Sequence, residues 1–185
     1  MGVRGLIMKN ITLKQYTALK NPSEYDILTH LNPKNSFANR QMNVSQMPYA
    51  NVKYCIRLLQ KVNSWDGVKQ LFIICFGITE KDFWKATVLD YFAARKFMIA
   101  EFERIIATEN KLLTTQNTNS HLWEMAGADK LKPYSDTLPL LQLGKLFGQY
   151  PFDLGRKPYS EIFNLLAQTK TQNEVEAEYG KLSRQ

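Results

Sequence analysis

The sequence is poor in the residue types that carry most catalytic chemistry. Its two histidines, His30 and His121, stand far apart in unlike contexts. Its two cysteines, Cys55 and Cys75, lie in apolar stretches and form no CxxC pair. They read as buried free thiols, with a disulfide or a metal site as the alternative. Glu101 and Glu103, two apart on a predicted helix, cannot converge on one point and read as a solvated face. No HExxH, GxSxG, phosphate-loop, GxGxxG or EF-hand spacing occurs. No carboxylate grouping suits the magnesium site of a nuclease. These shortages argue against an enzyme: no catalytic residue, cofactor, metal or small-molecule substrate is expected.

Long hydrophobic runs are missing too. The most apolar stretch, Leu71-Phe72-Ile73-Ile74-Cys75-Phe76, is far too short to span a bilayer. Met1-Gly2-Val3-Arg4-Gly5-Leu6 lacks the Ser or Thr of a myristoylation signal and a long apolar core. The expectation is a soluble protein made in the cytoplasm, without membrane contact.

What is present is a globular composition. The chain has 185 residues, 44% hydrophobic and 22% charged, enough to bury a core in one domain plus a small appendage. Aromatics reach 12%, an excess that suits packing against partners as well as inside a core. The net charge of +7 is uneven. Residues 1–60 carry eight Lys or Arg against Glu24 and Asp26, and the rest of the chain is nearly balanced. The positives are spread singly, which favours solvation and partner contact over specific nucleic-acid binding.

The pattern along the chain predicts a mainly α protein: a multi-helix domain around one long central helix, with an irregular basic N-terminal arm. Residues 1–48 are expected to form the arm and 49–185 the helical domain. Within the arm, Asn21-Pro22-Ser23-Glu24 reads as a helix start, and residues 32–48 as a loop that orders on binding. Arg4, Lys9, Lys14, Lys34 and Arg40 are its candidate contacts to a partner's carboxylates or to DNA.

From Tyr49 the spacing of Val52, Cys55, Ile56 and Leu59 turns helical. Ser64 caps a second segment that ends at Gly77. Periodicity leaves its apolar run open between helix and buried strand, and the flanking caps favour helix. Thr79-Glu80-Lys81-Asp82 resembles a capping box and opens a single helix expected to run from Glu80 to Gln116. Trp84, Phe102, Trp123, Tyr159 and Phe163 are the candidate packing anchors. Gln116-Asn117-Thr118-Asn119-Ser120 breaks the long helix. Shorter segments follow at His121–Ala126, Ser135–Phe147 ended by Gly148, and a last helix from Pro158, with Gly127 as a helix C-cap. Glu174, Glu176 and Glu178 oppose that last helix's dipole, so its end is expected to fray or to meet basic groups of a partner.

The C-terminal half reads Leu122-Trp123-Glu124-Met125-Ala126-Gly127-Ala128-Asp129-Lys130-Leu131, then a Leu-rich helix, Tyr150-Pro151-Phe152-Asp153, and Lys157-Pro158-Tyr159-Ser160-Glu161-Ile162-Phe163. Over residues 80–182 it resembles small neck, tail and tail-assembly proteins of tailed bacteriophages, especially those of Bacteroidetes hosts. The resemblance implies a non-catalytic virion protein of the head-tail connector or tail, a ring-forming structural subunit. Its partners would be copies of itself and other neck or tail proteins. A cytoplasmic tail-assembly chaperone is the alternative, and a DNA-binding regulator using the basic N-terminal region the second alternative.

Overall fold

A computed structural model describes residues 11–20, 30–114 and 120–183. Among these residues it is mainly helical, with isolated bridges and no β-strand. The α-helices are α1 (Leu13–Tyr16), α2 (Tyr49–Lys61), α3 (Trp65–Phe76), α4 (Glu80–Lys85), α5 (Val88–Leu113), α6 (Ser120–Met125), α7 (Leu138–Phe147), α8 (Pro151–Arg156) and α9 (Tyr159–Leu182). Short 3-10 turns cover Val44–Gln46 and Ala128–Tyr134. The expected helix starting at Asn21 lies outside the described residues.

The contacts divide the chain into two compact units. Unit 1 holds residues up to 44 and 54–105; unit 2 holds 45–53 and 106–185. The sequence places a boundary at residue 48 and an arm before it, but residues 11–20 and 30–44 belong with the helices of unit 1. Leu13, Phe37, Met42 and Val44 are buried. Phe37 rests against Phe72, Phe76 and Phe83 at ring-centroid distances of 4.6, 5.7 and 5.9 Å. The loop around it is fixed by its own hydrogen bonds. Phe37 and Arg40 exchange backbone bonds at 2.9 Å across Ala38 and Asn39, both at positive φ. The Asn35 amide donates to the Met42 carbonyl and accepts from its N–H. An Asn-rich segment thereby satisfies its backbone without a helix while planting one aromatic ring in the core.

The capping signals hold. The Ser64 hydroxyl accepts from Gly67 N–H at 3.3 Å, and Gly77 closes α3 in the left-handed region. Residues 70–76 are therefore helix. Thr79 and Asp82 form the capping box of α4.

The single helix expected from Glu80 to Gln116 is instead two, broken at Ala86-Thr87. Ala86 is extended, and the Thr87 hydroxyl accepts from Asp90 N–H at 3.1 Å, starting α5. Residues 11–13 fill the break: Leu13 N–H donates to the Ala86 carbonyl and Val88 N–H to the Ile11 carbonyl, each at 3.0 Å. The long helix remains, 26 residues or about 39 Å, with Met98, Phe102 and Ile105 buried along it.

Unit 2 is gathered on the start of α9. Tyr159 N–H donates to the Met47 carbonyl and Tyr49 N–H to the Lys157 carbonyl. The Tyr49 and Tyr159 rings stack at 6.0 Å, and Tyr159 stacks on Phe163 at 5.8 Å. Pro158, expected inside the first turn, is the residue before it. Glu109 accepts from both the Lys53 ammonium and the Tyr159 hydroxyl. Burial, with Glu109 and Asp136 nearby, pushes the Tyr49 hydroxyl's pKa up.

Candidate interaction surface

Residues 120–152 of unit 2 are built from short elements that have little room to bury their side chains. α6 spans six residues, and Leu122, Trp123 and Met125 on it are all exposed. Gly127, in the left-handed region at φ 84°, ends that segment as expected and turns the chain into the 3-10 stretch. α7 buries Leu140, Leu143 and Gly144, one stripe at helical spacing, and turns Leu141, Leu146 and Phe147 outward. Gly144 is where α7 meets the following turn: a Cβ there would lie 2.6 Å from the Gln149 carbonyl oxygen and 3.2 Å from the Pro151 ring. That close approach, with Gly148 at φ 63°, folds α8 back along α7.

The outcome is an apolar groove of about 440 Å³ walled by Tyr134, Leu138, Leu140, Leu141, Pro151 and Phe152. The Tyr150 ring stands 5.4 Å from that of Phe152. Ten large apolar side chains between Leu122 and Phe152 are 42–77% exposed. A buried aromatic covers roughly 150–250 Å². Five of the ten are aromatic, and Tyr134, Tyr150 and Phe152 among them stand at or beside the groove. Val175, Tyr179 and Leu182 on α9 are exposed as well.

Among the expected packing anchors, Phe102 and Tyr159 are buried and Trp84 and Phe163 half-buried. Trp123 departs from expectation: it is 55% exposed. An apolar pattern marks which face needs cover, not whether the cover comes from the same chain.

Of the expected basic contacts, Arg4 and Lys9 lie outside the described residues, and Lys14, Lys34 and Arg40 are exposed. Lys14 shares a cleft of unit 1 with Lys81, Lys85 and Trp84, a grouping that the spacing of these residues along the chain does not reveal. The histidines fall in different units, His30 in unit 1 and His121 in unit 2. Among the described residues no three His, Cys, Asp or Glu side chains are grouped as metal ligands would be. No described helix is long and apolar enough to cross a membrane. Cys55 and Cys75 are free and buried in unit 1, sulfur to sulfur 3.9 Å.

No known protein family, curated protein or solved structure matches the chain.

Proposed function

We propose that this chain is a non-catalytic assembly protein of a tailed-phage particle, a ring-forming subunit of the neck or tail. The observation that carries the assembly reading is the apolar surface of residues 120–152. At its groove Tyr134, Leu141, Phe152 and the adjoining Tyr150 are exposed together, and apolar side chains gathered in this way mark sites of protein contact. The assignment to a phage particle rests on the resemblance of residues 80–182. Several residues that carry this resemblance face outward: Trp123, Met125, Leu131, Tyr150 and Phe152. A motif conveyed by exposed apolar residues suits recognition between proteins better than it suits a core.

A second reading, a tail-assembly chaperone, is favoured by the shape of the groove. Its apolar walls suit a short apolar segment of another protein, held transiently. Mass spectrometry of purified particles separates the two. A ring subunit is recovered in the particle at constant stoichiometry. A chaperone is missing from the particle and co-purifies with unassembled tail proteins. Phe152→Glu or Trp123→Glu should abolish assembly in either case while the melting temperature of the isolated protein stays within a few degrees. Assembly unaffected by both substitutions would refute the role given to this surface.

A further inference from the structure

We propose that the cleft between α1 and α4 in unit 1 binds single-stranded nucleic acid, with backbone phosphates among Lys14, Lys81 and Lys85 and a base against Trp84. The cleft encloses about 620 Å³ and is lined by these four residues together with Thr12 and Thr17. Lys81 and Lys85 are one turn apart on α4 and share its face. Lys14 reaches the same cleft from α1, which is held in place by the backbone bonds of residues 11–13 to Ala86 and Val88.

Both carboxylates of α4 are engaged elsewhere. Glu80 accepts from the Lys69 ammonium at 2.8 Å and from the Trp84 indole N–H at 3.2 Å. Asp82 accepts from the Thr79 N–H and hydroxyl, and these bonds, with the Lys85 and Lys81 charges adding to them, hold its pKa below the ordinary carboxylate range. Among the described residues, no carboxylate lies in ion-pair contact with Lys14, Lys81 or Lys85. Three positive charges therefore face one cleft, none of them in ion-pair contact among the described residues, with the Asp82 carboxylate as their nearby negative group.

The Lys69 ammonium lies 6.0 Å from the Trp84 ring centroid, and an acidic peptide would satisfy the three lysines without using the indole surface that lines the cleft. A nucleotide unit satisfies both, because its phosphate meets ammonium groups and every base has a face for an indole. Duplex hides those faces, which is why the strand is single. Trp84 is half-buried, and Phe83 beside it is fully buried, with ring centroids 5.0 Å apart. The aromatic wall is therefore fixed in place before any ligand arrives.

The test is binding of labelled oligo-dT to the whole protein, measured by anisotropy across a salt series. Three phosphate contacts give a slope of log K against log salt of about −2, at roughly 0.7 per phosphate on a single strand. The triple variant K14Q/K81Q/K85Q should lose most of the affinity and bring the slope near zero. The control K111Q/K130Q/K145Q removes the same charge from exposed positions in unit 2 and should leave both unchanged. Equal losses in the two variants would reduce the effect to net charge and overturn the site. Duplex DNA or polyglutamate binding as tightly as oligo-dT would overturn the ligand class. ATP binding as tightly as the oligonucleotide would overturn the strand in favour of a free nucleotide. These outcomes do not depend on particle assembly, so this inference and the assembly reading fail separately.

Discussion

Phe37→Ala is the sharpest test of whether residues 30–44 are core or arm. The ring is fully buried and touches three other rings, one of them at 4.6 Å between centroids. At about 25 cal/mol per Å² over roughly 150–200 Å² of ring surface, its burial is worth about 4 kcal/mol. Relaxation of the loop around the vacated space reduces the loss and the remaining cavity increases it, so the expected cost is about 3–5 kcal/mol. If the segment were an arm lying on solvent, the same change would cost within about 0.5 kcal/mol.

Urea titration followed by tryptophan emission is the assay, since Trp65 and Trp84 both belong to unit 1. With a slope of about 2 kcal/mol per M, the midpoint should fall by about 2 M. Phe37→Leu, which keeps most of the volume, should cost about a third as much. A midpoint shift below about 0.3 M for Phe37→Ala would refute the packing of this segment.

Four further outcomes can be checked in the same protein. Ala38→Gly should raise the melting temperature by a few degrees, because a residue with a Cβ at φ 47° pays for a left-handed backbone that glycine adopts freely. Thr87→Ala should cost about 1 kcal/mol through the lost cap of α5. Its helical circular dichroism should not rise, because the bonds from residues 11–13 still hold the break. Glu109→Gln should cost about 1–3 kcal/mol by leaving the part-buried Lys53 without its counter-charge, and Lys53→Met in that background should recover part of the loss. The Cys55 sulfur beside it, together with burial, pushes the Cys75 thiol's pKa up, so both cysteines should resist a bulky thiol reagent until the protein unfolds.

Features fixed by a few neighbouring residues were legible in the sequence. Ser64, Thr79, Gly77 and Gly148 each act within one turn of themselves, and their positions bound the helices they flank. The break at Ala86 was not legible as a whole. Thr87-Val88-Leu89-Asp90 carries the local half of the signal, a hydroxyl three residues before a carboxylate. The deciding half comes from Ile11 and Leu13, which no window along the chain brings near. Phe37 was missed for a related reason. Phe37, Met42 and Val44 follow no helical or strand period, so nothing announces that they share a core with α3. The cleft joins Lys14 to Lys81 and Lys85 and is likewise a product of tertiary packing. Trp123 shows the opposite limit: its apolar character was plain, but the exposure of α6 depends on what the fold leaves uncovered.

The two units leave different requirements unmet, and this separates their roles. In unit 1 the aromatic excess is spent internally. Phe37, Phe72, Phe76, Phe83 and Tyr91 pack on one another and are buried. That unit also carries a cleft lined by three lysines, Lys14, Lys81 and Lys85. In unit 2 the aromatic and aliphatic excess of residues 120–152 is left at the surface. Some charges there pair locally, as in Lys132 with Asp129 and Arg156 with Asp153, while Lys111, Lys130 and Lys145 stand exposed. A lysine-lined cleft and uncovered apolar area respond oppositely to the solvent. Salt weakens phosphate contacts steeply, whereas apolar association is insensitive to it and strengthens in sulfate. Raising sulfate concentration should therefore release nucleic acid from the protein while preserving or promoting its association with other proteins. If both activities fell together, a single charged surface would have to serve both, and the assignment of separate partners to the two units would be wrong.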